Sequence, residues 1–188
     1  MMIGRCAVAA AIAAAMLLPA QLAARAADAP RFATKTMDQL NPEQKSAAEG
    51  VLKQSSAGLG GPYAMLITSP ELLKRYLLMT EYLRQKTSLP KRLNEMAILL
   101  EARIWDAQYE WWAHEPLARK AGVPDAVIAA IRDGKRPPAL RAKQILGEQQ
   151  VVDLAAVTGF YVMVSVVIAA GQVGVPNNGP APLPVLVK

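Results

Sequence analysis

The chain holds a single histidine in 188 residues, His114, and Glu110 precedes it by four positions. On a helix that step puts both side chains on one face, one turn apart. A carboxylate beside an imidazole is a proton-transfer pair, because the acid orients the ring, selects its tautomer and raises its basicity. Glu95, fifteen residues before Glu110, supplies a second carboxylate. In one arrangement of these residues His114 takes or gives the proton, Glu110 orients it, and Glu95 holds the substrate or a second proton. Burial raises a glutamate's pKa and lowers a histidine's, which brings both toward neutrality. The same three residues are also compatible with a satisfied polar cluster that ties two helices together.

Two carboxylates and one imidazole suit iron or manganese as donors. Spacings of four and fifteen around one histidine are not a metal motif, however, so neither a metal nor another cofactor is expected. Tyr109, Arg103 and Trp111 are the substrate-binding candidates. Tyr109 could donate to a bound oxyanion, although a tyrosine on a helix face more often packs. Arg103, like Arg119, offers a planar fork for a substrate carboxylate. Trp111, with Trp105 and Trp112, reads as core or pocket wall.

The segment around these residues resembles the carboxymuconolactone decarboxylase family, which also contains the alkylhydroperoxidase D-like proteins. The resemblance is carried by Leu93-Asn94-Glu95-Met96-Ala97-Ile98-Leu99, by Tyr109-Glu110-Trp111 and His114, and by Ala118 to Gly122. It is to a secreted branch without cysteines. Peroxidase members carry two cysteines three residues apart, the second four before the histidine; here those positions are Ala107 and Glu110. Neither supplies a thiolate, so thiol peroxidase activity is rejected. The family's upstream glutamate and its histidine are kept, as Glu95 and His114.

The resemblance implies a helical bundle of the alkylhydroperoxidase D-like type, assembled as a trimer or hexamer. It implies a cofactor-independent lyase or isomerase that works by Glu/His acid–base chemistry on a small carboxylated or lactone-like substrate. The alternative is a non-catalytic binding or structural protein that kept the fold. Related chains carry a further helix between the turn at Gly134-Lys135-Arg136-Pro137 and the segment from Leu146 to Leu154, so one helix is expected to be missing near residue 140.

The elements that must position these residues are helical throughout, and the fold class is all-α. Asn41-Pro42 predicts a helix start, with asparagine as cap and proline at the first position, running to about Gln54. Residues 55–68, rich in glycine, read as a loop. Ser69-Pro70-Glu71 starts the next helix, with Leu72, Leu73, Tyr76, Leu77, Thr80 and Leu83 as its buried stripe. Ser88 and Pro90 start another, striped by Leu93, Met96, Ala97, Leu100 and Ile104. Asp106 is the expected cap of the helix carrying Glu110 and His114, which ends near Gly122. A short helix follows from Val123-Pro124-Asp125 to Ile131.

The last helix is expected from about Arg141 to Gly171. Its stretch from Val151 to Ala170 is apolar enough for a membrane span by hydropathy alone. Asp153, Gly159 and Tyr161 favour a packed central helix of an oligomer instead. The tail, residues 176–188, reads as extended or disordered.

At the other end, Arg5, the apolar run from Ala7 to Ala20 and Ala24-Arg25-Ala26 form a signal-peptide pattern over residues 1–26. Cleavage there would leave a helical domain over 27–175, periplasmic or secreted and with no membrane contact of its own. It would also remove Cys6, so the mature chain would contain no cysteine. Without Arg5 and Arg25 there remain 19 basic against 15 acidic residues, a net charge of about +4. The basic residues are interleaved with acidic ones, which gives no nucleic-acid stripe. The expected partners are a small-molecule substrate and further copies of the chain.

Overall fold

The computed structural model describes residues 30–55, 58–136 and 146–186. The signal-like segment 1–26 and the site of the expected missing helix, near residue 140, lie outside them. Among the described residues there are seven α-helices and no strand: α1 (Pro42–Gln54), α2 (Pro62–Leu66), α3 (Pro70–Glu81), α4 (Lys91–Ile104), α5 (Gln108–Lys120), α6 (Asp125–Arg132) and α7 (Glu148–Gly171). The all-α class follows.

Local chemistry explains most of the starts. Asn41 accepts from the Gln44 amide at 2.9 Å while the Gln44 side chain accepts from the Asn41 amide, a reciprocal cap with Pro42 at the first helical position. α3 begins at Pro70 as the sequence predicts, although the Ser69 side chain makes no cap bond. Several expectations need correction: Leu72 is exposed instead of buried with its stripe, and the last helix starts at Glu148 after a Gly147 cap instead of near Arg141. Residues 55–68 are not loop throughout, because Pro62–Leu66 form the short helix α2. Asp106 is not the cap of α5: it turns the chain with φ +49, and Ala107 takes the cap position.

α4 is the central element. It packs against α5 and α7, and also against α6. Ala97 and Ile98 face a core built with Val51, Leu73, Leu77, Val157 and Val164. Leu99 and Ala102 face a second core built with Trp111, Ala118, Val127, Ile128 and Ile131. Burying a side chain of this size contributes about 1.5–3 kcal/mol relative to leaving it exposed.

A single π-helical turn, Tyr82–Lys86, joins α3 to the α4 approach. Asp153 on α7 fixes it, accepting from the Tyr82 hydroxyl at 2.9 Å and from the Ser88 amide and hydroxyl at 2.7 Å each. These hydrogen bonds hold the Asp153 carboxyl below its ordinary pKa. α7 passes the length and apolarity test for a membrane span, the one helix among the described residues to do so. One of its faces is buried through Val157, Tyr161, Val164 and Ile168, while Val151, Val152, Met163 and Val166 are exposed.

After a 3-10 turn at Pro176–Asn178 the tail runs docked against the domain. Leu183 is buried in the second core, and its amide and carbonyl pair with the two ends of the Gln108 side chain.

Candidate acid–base pocket

His114 and Glu110 share the inner face of α5, as their spacing predicts, and both are buried. The packing of α4 on α5 brings Glu95 to the same ring. Glu95 Oε2 lies 2.8 Å from His114 Nδ1, while Glu110 Oε2 lies 3.4 Å from Nε2. The residue that orients the imidazole is therefore Glu95 and not Glu110. A carboxylate on Nδ1 holds the proton there and leaves Nε2 as the acceptor. The Tyr161 hydroxyl, from α7, lies 3.2 Å from that nitrogen. Its ring meets the imidazole edge-on, with centroids 5.2 Å apart.

The carboxylates thus occupy opposite edges of one ring, a relay rather than a chelate. Among the described residues no group of three His, Cys, Asp or Glu side chains is placed to hold a metal ion.

A cavity of about 470 Å³ opens on this relay, within the range of small-molecule sites. Glu110, His114 and Tyr161 line it; Glu95 stands behind the histidine. Tyr63 and Tyr76 contribute further phenols, and Tyr109 closes one side. Gly61 makes the position of Tyr109 possible: its φ is +61, and a Cβ there would meet the phenol ring tip at 2.3 Å.

Burial sets the electrostatics. Desolvation raises the Glu110 pKa, opposed by the nearby His114 and Arg84 charges. Burial pushes the Tyr109 phenol up to about 12, and the Tyr76 and Tyr161 phenols well above their ordinary value. All three therefore remain hydroxyl donors at any physiological pH.

Two of the substrate-binding candidates lie elsewhere. Arg103 is buried away from the cavity, donating to the carbonyls of Pro184 at 2.9 Å and Arg132 at 3.3 Å and pairing with Asp106. It anchors the tail. Trp111 is fully buried in the second core, its indole N–H donating to Glu115 at 2.7 Å and the Arg132 guanidinium standing over its ring. The cation in the cavity wall is Arg84, on the π-helical turn, and its charge acts on Glu110, Tyr63 and Tyr161. A signal for it existed in the sequence. Tyr76, Thr80 and Arg84 recur at four-residue steps, and all three line the cavity.

Comparison with known protein families, with curated proteins and with solved structures finds no match to this chain.

Proposed function

We propose that this protein is a carboxymuconolactone decarboxylase-like enzyme: a cofactor-independent lyase or isomerase that moves protons on a small carboxylated or lactone-like substrate. The observation that carries the reading is the relay itself. His114 is oriented by Glu95 on one nitrogen and faces Glu110 and Tyr161 on the other, at the wall of a cavity of ligand size. The motif residues around Glu95, Glu110 and His114 support the family assignment, and the segment 1–26 supports a periplasmic or secreted location.

The residues divide the chemistry between them. In a decarboxylation the bond from carbon to the carboxylate breaks, carbon dioxide leaves, and the electron pair moves onto an adjacent carbonyl as an enolate. Glu110, whose pKa burial raises, is the group placed to deliver a proton to the carbon. Glu110 is reprotonated from solvent: Nε2 of His114 takes up a solvent proton, the resulting imidazolium is held by Glu95 on Nδ1, and the proton passes from Nε2 to Glu110. Arg84 suits the enolate oxygen or a second acid group and not the departing carboxylate, because an ion pair there would stabilise the ground state as much as the transition state. The Tyr63 and Tyr109 hydroxyls are further donors for developing negative charge.

The test uses the chain from Ala27 against a panel of carboxylated lactones and β-keto acids, following carbon dioxide release. His114→Ala and Glu110→Gln should each lower kcat by about a hundredfold or more, the range of general acid–base catalysis. Arg84→Gln should lower kcat where Arg84 holds the enolate oxygen and raise KM where it holds a second acid group. Circular dichroism checks that each variant is folded. A folded wild-type protein that turns over nothing on the panel would favour the alternative, a non-catalytic protein in which the cluster ties α4, α5 and α7 together.

A further inference from the structure

A second and larger hollow lies behind the acid–base pocket. It has a volume of about 1020 Å³ and is bounded by the start of α5, the end of α7, the Gly60-Gly61 turn and the segments on either side of the helical domain. Tyr109 and Trp112 belong to both hollows, and their rings pack at 5.8 Å with a 47° tilt. They form a shared aromatic partition. His114, Glu110 and Arg84 do not line the larger cleft.

Three observations define what it would hold. Its walls are aromatic: Trp105 and Trp112 are both substantially exposed, at 44% and 43%, and both border it. Exposed indoles beside a concave surface favour a flat ligand. Its floor carries one orphaned polar group. Ser165 on α7 is 2% exposed, lines the cleft, and its hydroxyl has no hydrogen-bond partner. A helical serine ordinarily donates back to the carbonyl four residues earlier, and a buried hydroxyl left unpaired is costly. Finally, among the described residues no lysine, arginine or histidine lines the cleft, its one carboxylate, Asp106, is already paired with Arg103, and Arg31, between the lining residues Pro30 and Phe32, donates to the Ala170 carbonyl. Among these lining residues a charged ligand of either sign finds no free counter-charge.

We propose that this cleft is a binding site for a neutral, planar aromatic molecule bearing one hydrogen-bonding group, which the Ser165 hydroxyl receives. The two hollows then divide ligands by charge. The Arg84 pocket takes the anion, and the Ser165 cleft takes the neutral aromatic, whether or not the first pocket turns over a substrate.

Benzamide and benzoate have nearly the same shape and differ in charge, so titration calorimetry on the chain from Ala27 separates the two sites. Benzamide should bind the wild-type protein. Ser165→Ala should weaken it about three- to tenfold, as loss of one neutral hydrogen bond does. Ala169→Trp, which fills the cleft from the exposed side of α7, should abolish it, and Arg84→Gln should leave it unchanged. Benzoate should show the reverse sensitivity, responding to Arg84→Gln and not to Ala169→Trp. Thr34→Trp, in the segment before the first helix, is the second filling variant if Ala169→Trp does not fold. Absence of benzamide binding overturns the site. So does benzamide binding that survives filling of the cleft, or benzoate binding that filling abolishes. Binding that is lost on filling but indifferent to Ser165→Ala overturns the assignment of the hydroxyl.

Discussion

Glu110 is the residue whose protonation the fold controls most directly. Desolvation raises its pKa from an ordinary 4.5, so between that value and the raised one the folded chain binds more protons than the unfolded chain. Stability therefore falls as pH rises through that window, and is level below and above it. Glu110→Gln removes the titration. Thermal unfolding between about pH 4 and pH 8 should show the wild-type midpoint dropping relative to the variant as pH rises, by about 2–4 °C for each kcal/mol. Glu101, also buried and raised by desolvation, titrates in both proteins and cancels in the difference. A gap independent of pH would mean that Glu110 is ionised throughout and cannot serve as the acid. At this scale the sequence is legible where contacts are local. The step from Glu110 to His114 is a helix-face relation, so it reads directly. The Glu95 contact depends on how α4 meets α5, and Tyr161 arrives from 47 residues away; neither is periodic information. That is why Glu110 reads as the orienting residue and Glu95 holds the position.

Among the elements, the tail departs furthest from its composition. Its prolines and glycine read as extended or disordered chain, yet Leu183 is buried and Arg103 and Gln108 bind its backbone. Arg103 shows the limit of reading an arginine by its neighbours in sequence. It lies between Glu95 and Glu110 in the sequence, and its fork closes on two carbonyls. Arg103→Ala should cost about 1.5–3 kcal/mol by removing charge-assisted hydrogen bonds to the part-buried Arg132 and Pro184 carbonyls, lowering the melting midpoint by several degrees at about 2–4 °C per kcal/mol. A chain ending at Gly174 should lose a comparable amount, and the two changes together should be less than additive, because both release the same contact. Full additivity in scanning calorimetry would show that the tail is not held by Arg103. The helix starts at Pro42 and Pro70 were legible because proline and its preceding residue act locally. The π-helical turn was not, since its cause is Asp153, 65 residues beyond Ser88.

For the whole molecule, the outer face of α7 has the largest consequence. A 24-residue helix with an apolar face buried by its own chain still presents Val151, Val152, Met163 and Val166 to the outside, and the adjoining α4 exposes Leu100 and Ile104. In a separate chain of 20.2 kDa exposed apolar side chains of this number on one helix are of the kind through which chains associate. Hydropathy alone does not choose between lipid and another protein surface, because both cover apolar side chains. Gly159 lies on that outer face and adds no side chain beyond its backbone, which suits close helix approach more than lipid contact. We propose that copies of the chain meet through α7, a face compatible with the trimer or hexamer that the resemblance implies. Light scattering on the chain from Ala27, without detergent, should give a mass several times that of one chain. Met163→Lys with Val166→Lys places charge in the centre of the face and should reduce the mass to a single chain, because an unpaired buried charge is far costlier than the apolar contact it replaces. The cores behind the face are untouched by these substitutions, so helicity by circular dichroism should persist. A wild-type protein that is insoluble without detergent but monodisperse in it would instead assign the face to a membrane, and the acid–base pocket, lined by none of these exposed α7 residues, would still be open to assay in micelles.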